Sequence, residues 1–323
     1  MDGHLQHKLH TEPGVTAMSR KTRKKILAAA INEAVYGTDA IAAGTALFMQ
    51  TTGLEITPIE GEDIDREIDT PELGNSARML VGDHVKISTG IELTGSGTAT
   101  NNVPYYPVLA AAGWKATPGA GEVVYSKVTD NTEKDVTFYG YKDGALHKAT
   151  GSRATLTFMA NVNEVPKLDA EVTGLFNGIQ KEPLPNAPDL SAFLLPQKVG
   201  ATHTKLTVNG QVLEMYEFEL SENIEVIYDE NTEGEEVFIG DYAAEGKIVV
   251  KAPDLDTFDP FTIALAEDQI PLRLEHGTGT GRELEINVPK IQFQRPAYGD
   301  REGQMTYEIN FWVIGSDYTL TSR

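Results

Sequence analysis

Three kinds of residue cluster in this chain are of types that do chemistry, and each lacks the partners that chemistry requires. Gly277, Gly279 and Gly281 alternate with threonine. A phosphate-cradling loop needs its glycines at fixed spacing between a strand and a helix. Here Glu283 to Val288 alternates like a strand, so the glycines read as a turn between strands. His4, His7 and His10 have the spacing that sets ligands on one helix face. They lie in residues 1–17, a polar tail for which disorder is the ordinary state. His84, His147, His203 and His276 are scattered. The carboxylates of Glu60 to Asp69 and of Glu230 to Glu236 do not follow the oxygen spacing of a calcium loop, so they read as solvated loops. With no cysteine there is no disulfide, thiolate ligand or sulfur nucleophile. No serine sits in a nucleophile elbow. The expectation is a protein that is not an enzyme and takes no metal or cofactor.

The chain has 323 residues and a net charge of −21, with 40% apolar and 23% charged residues. That composition supports a globular fold with a sizeable core. Its sign is opposite to the basic footprint that grips nucleic acid. An acidic surface keeps a protein soluble, and it also lets DNA pass without sticking. No apolar run approaches the roughly 20 residues that span a bilayer. Ile26 to Ile31 is too short for the core of a leader peptide. The expectation is synthesis in a cytoplasm and no membrane partner.

The elements that would position any site are short strands. Val85, Ile87, Thr89, Ile91 and Leu93 alternate with Lys86, Ser88, Gly90 and Glu92, and Met305 to Val313 repeats the pattern. Such alternation marks antiparallel sheets with one wet face. Lys142-Asp143-Gly144, Val208-Asn209-Gly210 and Arg301-Glu302-Gly303 mark turns. Two short helices are expected, one from Pro107 to Ala112 closed by Gly113, and one opened by Asp259-Pro260. Arg20 to Tyr36 reads equally as a helix or an extended arm. Four prolines between Lys181 and Pro196 mark a linker.

The parts on either side of that linker repeat. Leu54-Glu55-Ile56 before an acidic stretch corresponds to Leu213-Glu214-Met215 before another. Leu80-Val81-Gly82-Asp83-His84 corresponds to Phe238-Ile239-Gly240-Asp241-Tyr242, and the two short helices follow in the same order. The offset drifts from 159 residues at Gly53 and Val212 to 153 at Pro107 and Pro260, as loops gaining or losing residues would produce. The organisation read from this is a tail (1–17), a first domain (18–180), a linker (181–196) and a second domain (197–323).

Several of these segments together resemble a known family. Lys21 to Asp39 is a basic-apolar arm ending in Tyr36-Gly37-Thr38. Glu92-Leu93-Thr94-Gly95-Ser96-Gly97 is followed by Pro104 and then Leu109-Ala110-Ala111-Ala112-Gly113. Tyr141-Lys142-Asp143-Gly144 precedes Gly151, and Val288-Pro289 and Tyr298-Gly299-Asp300 close the chain. In that order the segments resemble the major tail tube proteins of bacteriophages with long, non-contractile tails. The resemblance runs from Met18 to Arg323.

The resemblance implies a mainly β fold of tandem sandwich domains with short flanking helices. Their strands join across subunits into a barrel around a channel. Chains with two such domains form homotrimeric, pseudo-hexameric rings. The rings stack into a virion tail tube that conducts double-stranded DNA at ejection, with tail tip, tape measure and terminator proteins as further partners. On this reading Lys86, Ser88, Glu92, Lys247 and Lys251 line the lumen. Ile64, Ile68, Leu73, Ile224, Val226 and Tyr228 project from two long acidic loops onto a neighbouring ring, or pack within their own subunit. The basic arm of Arg20, Lys21, Arg23, Lys24 and Lys25 reaches an acidic neighbour. The alternatives are the inner tube of a contractile tail-like apparatus and a β-sandwich adhesion module, for which Tyr105-Tyr106 is the one aromatic pair that suggests carbohydrate.

Overall fold

The computed structural model describes residues 20–44, 46–66, 68–69, 71 and 74–323. The N-terminal half runs β1 (Lys25–Ile31), α1 (Ala40–Ala43), β2 (Leu47–Met49), β3 (Thr52–Ile64), β4 (Met79–Glu92), α2 (Tyr106–Ala111), β5 (Trp114–Pro118), β6 (Val123–Lys127), β7 (Val136–Lys142), β8 (Ala145–Asn161) and β9 (Lys167–Gln180). No strand lies between Gln180 and Thr204, where the prolines fall. The C-terminal half runs β10 (Thr204–Val208), β11 (Gln211–Leu213), β12 (Met215–Ser221), β13 (Ile224–Glu230), β14 (Glu235–Tyr242), β15 (Glu245–Lys251), α3 (Pro260–Leu265), β16 (Gln269–His276), β17 (Leu284–Phe293), β18 (Ala297–Arg301), β19 (Gln304–Val313) and β20 (Thr319–Ser322). The fold is mainly β, as the alternation predicts, and every ladder is antiparallel.

Strand pairing in the two halves follows one plan. β1 pairs with β2 and β7, and β10 pairs with β11 and β16. β3 pairs with β4, and β4 with β9; β12 pairs with β15, and β15 with β19. β7 and β9 both pair with β8, while β16 and β19 both pair with β17. β8 has register shifts at His147 and Thr150, and these bend it between two sheets. β18 continues the line of β17 along β19. Each half is therefore a pair of sheets sharing one long strand, with the core between them.

The local signals act as expected. Asp143-Gly144, Asn209-Gly210 and Glu302-Gly303 all have positive φ at both residues, as two-residue hairpin turns require. The Asp259 carboxylate accepts from the N–H groups of Phe261 (2.9 Å) and Thr262 (3.0 Å) at the start of α3. The apolar arm is resolved as a strand: Ile26 to Ala30 sits in β1 against β7. The glycine-threonine run is the β16–β17 connection. There the Gly281 carbonyl accepts from Gly97 N–H at 2.9 Å, and a Cβ on Gly95 would lie 2.1 Å from that carbonyl oxygen.

Glu302 alone of the first residues in these three turns lacks the short polar side chain that tolerates a left-handed backbone; its φ is +52°. Glu302→Asn is expected to stabilise the chain by about 0.5–1 kcal/mol, read as a higher urea midpoint at unchanged slope. A lower midpoint would contradict this account of the turn.

Candidate assembly surface

Direct cross-strand partners carry one face across the whole molecule. Glu92 is opposite Lys167, Lys167 opposite Met159, Met159 opposite Glu219, Glu219 opposite Lys247 and Lys247 opposite Asn310. A second row joins Glu55, Ser88, Glu171 and Thr155, and a third runs through Asp169, Thr157, Ser221, Glu245 and Trp312. The sheet order is therefore β3–β4–β9–β8–β12–β15–β19–β18. Its other face carries Ile87, Ile91, Val172, Phe158, Phe218, Ile248 and Phe311, all buried.

All five residues predicted to line a channel lie on the polar face of this one sheet: Lys86, Ser88 and Glu92 on β4, Lys247 and Lys251 on β15. β4 and β15 do not touch; β9, β8 and β12 stand between them. Glu55, Glu60, Glu92, Asp169, Glu171, Glu217, Glu219, Glu245 and Glu308 share this face with the exposed or half-buried Lys86, Lys167, Lys247, Lys251 and Arg301, a net 5 − 9 = −4. Lys247 sits between Glu217 (4.0 Å) and Glu308 (3.9 Å), and Lys86 reaches Glu60 at 3.3 Å. These pairs are exposed, so they organise the surface more than they stabilise it.

The halves are joined edge to edge. β8 pairs with β12 from Thr157 and Ser221 to Asn161 and Glu217. Among the described residues, the remaining edges of the polar-faced sheet are β3, which pairs only with β4, and β18, which pairs only with β19.

Beneath the junction lies a buried ion pair that the sequence reading did not single out. Glu222 and Lys127 have fully buried side chains 2.7 Å apart. The Glu222 carboxylate also accepts from Trp114 Nε1 (3.0 Å) and the Tyr318 hydroxyl (2.9 Å), while Lys127 donates to the Ala112 carbonyl (2.8 Å). The Lys127 ammonium lies 4.7 Å from the Trp114 ring and 4.9 Å from that of Tyr242. Burial pushes Lys127 down to about 8 and Glu222 up, in both cases against the attraction of the partner. Strand parity is the signal that reveals the pair: Val123, Tyr125 and Lys127 share a face, as do Phe218, Leu220 and Glu222, so each charge stands at a core position.

The two acidic loops are hairpins with different fates. β13 and β14 fold back over the N-terminal half. There Ile224 is buried, Val226 packs on the core, and the Tyr228 ring stacks on His84 at 4.9 Å. The Tyr36 hydroxyl accepts from Val237 N–H (2.6 Å) and donates to the Gly151 carbonyl (2.9 Å), clamping the hairpin. Ile224, Val226 and Tyr228 therefore pack within their own chain, one of the two placements the sequence leaves open, with Ile224 buried and Val226 and Tyr228 half-buried. On the β3–β4 hairpin Ile64 and Ile68 are exposed, and Leu73 lies outside the described residues. The basic arm also folds inward in part. Arg20 donates to the carbonyls of Asp143 (2.7 Å) and Lys142 (2.5 Å), Lys21 N–H meets the Asp143 carboxylate, and Lys25 meets the Leu54 carbonyl. Arg23 and Lys24 have exposed side chains. Tyr105 is buried in the core, so it offers no platform for a sugar. Histidines 4, 7 and 10 lie outside the described residues.

A scan of protein-family models finds none that matches this chain, and a search of curated proteins finds no match either.

Lys127→Met strands a buried carboxylate and is expected to cost about 3–5 kcal/mol in urea unfolding. Combining it with Glu222→Leu is expected to recover most of that loss. Strictly additive losses would contradict the pairing.

Proposed function

We propose that this chain is the structural subunit of a phage tail tube, three copies of which close into a ring. The observation that carries this reading is the β8–β12 ladder. Two halves built to one plan are joined there by β8 and β12, the facing edge strands of the two half-sheets. β18 occupies in the second half the place that the end of β8 occupies in the first, and β3 occupies the place of β12. Both β18 and β3 are unpaired edges. Repeating the internal junction between chains puts β18 of one copy against β3 of the next. Such a head-to-tail contact generates a ring if its rotation closes, and it removes edges that otherwise invite uncontrolled pairing.

The dimensions fit the task. Three copies of an eight-strand sheet supply 3 × 8 = 24 strands. At about 4.8 Å per strand the untilted circumference is about 115 Å and the backbone diameter about 37 Å; tilt widens it. Side chains on both walls take about 10 Å of that, leaving room for a duplex about 20 Å across. The polar face is the one left to line the channel. Three copies put 3 × −4 = −12 there, within a total of 3 × −21 = −63. A wall of that sign repels phosphates, so DNA slides through without being held. The partners on this reading are further copies, the passing DNA and the proteins of the tail ends, in a virion; no cofactor is required.

Negative-stain electron microscopy over a concentration and time series tests the proposal. The expected result is rings or hollow tubes with three- or sixfold end views and three chains per ring by mass. A chain that stays monomeric at high concentration, and also fails to polymerise on added tail tips, would overturn it.

A further inference from the structure

The internal repeat also shows what is missing from the surface of the second half. In the first half, the β13–β14 hairpin roofs β8, β9 and the adjoining part of β4. Ile239 and Tyr242 close on Gly113, the residue with φ of +76° that follows α2 after Ala112, and Val226 and Tyr228 line a cavity with Thr173 on β9. The corresponding place in the second half has no roof. α3 has the same length as α2 and is likewise followed, after one alanine, by a residue of positive φ, Glu267 at +57°. α2 is buried over five of its residues by β1, β5, β7 and β8, whereas α3, which packs on β17 and has no counterpart of β5 and β6 after it, is buried only at Pro260. Leu265 is 87% exposed, and Trp312 on β19, the strand that takes the place of β9, is 48% exposed. Between them lies an apolar groove of about 630 Å³ that also takes in Phe261, Phe293 and Pro296, with Arg295 exposed at its edge.

The matching hairpin of the first half is bare. The extension of β3 and β4 corresponds to β13 and β14, and it exposes Ile64 (48%), Met79 (54%) and Leu80 (66%). Ile64 and Met79 are direct cross-strand partners, so they form one apolar contact. Glu62 and Asp63 beside them are exposed acids, and the groove carries one charge of each sign, Arg295 and Glu267.

We propose that the β3–β4 hairpin of a second copy of this chain seats in the α3 groove, burying the face that carries Ile64 and Met79 against Phe261, Leu265 and Trp312. The contact copies between chains the roof that β13–β14 makes within one chain, and it accompanies the β18–β3 edge junction. It rests on the head-to-tail assembly proposed above. It assigns Ile64 and Met79 of the first hairpin to the lateral neighbour in the same ring.

The absence of cysteine makes the test clean. Met79→Cys and Leu265→Cys chains are mixed under assembly conditions and treated with a short bis-maleimide, with Leu195→Cys, also highly exposed, as the control partner. The expected result is a covalent dimer from the Met79→Cys and Leu265→Cys mixture and none with the control. A chain carrying both substitutions should give covalent products that stop at three chains. Products continuing past three support the contact but overturn the three-chain ring. Rings or tubes that form without this crosslink overturn the contact and leave the tube reading standing. Chains that neither assemble nor crosslink overturn the contact and count against the tube reading too.

Discussion

Unpaired strand edges are the constraint around which this molecule is built. A sheet presents rows of unsatisfied N–H and C=O groups at its two ends. Within the chain one such pair of edges is closed by the β8–β12 ladder, so two similar halves become one eight-strand sheet. The outermost edges, β3 and β18, remain open. A protein that solves its edge problem internally by abutting two copies of one plan has, in the same geometry, a way to abut the next chain.

Everything else holds that junction rigid. The core face of the sheet is continuous from Ile87 through Phe158 and Phe218 to Ile248 and Phe311, and apolar burial of that extent dominates folding. The Lys127–Glu222 pair adds geometry more than net stability. Desolvation of both charges offsets much of their attraction, while two ring N–H and O–H donors fix the carboxylate in one orientation. Its members come from both halves, as do the strands of the β6–β20 ladder, which runs from Thr319 and Ser126 to Ser322 and Val123. The angle between halves is thus set by packing and hydrogen bonds together.

Sequence legibility followed the range of the interaction. Asp143-Gly144, Asn209-Gly210 and the Asp259 cap were readable because turn and cap chemistry is decided within four residues. The alternation of Val85 to Leu93 identified a wet face, and Lys86, Ser88 and Glu92 indeed share it with Lys247 and Lys251. β1 was ambiguous because Leu27 to Ala30 is buried on both sides, which removes the period that separates strand from helix. The fate of the β13–β14 hairpin was unreadable for another reason. Projecting and folding back require the same alternation, and the decision rests on Tyr36 and His84, more than 140 residues away in the chain. Lys127 and Glu222 escaped notice because a charge at core parity is visible only when strand parity is traced through both segments.

Hydrogen exchange on free and assembled chains tests the central claim most directly. In the free chain the amides of Glu217 to Ser221, paired on both sides, should exchange slowly, while outward amides of Glu55 to Glu60 and of Ala297 to Arg301 should exchange quickly. In the assembled protein the account predicts that both outer segments slow toward the rate of the β8–β12 ladder. Outer segments that still exchange quickly in rings or tubes would contradict it, because the chains would then be joined by some surface other than the one that joins their halves.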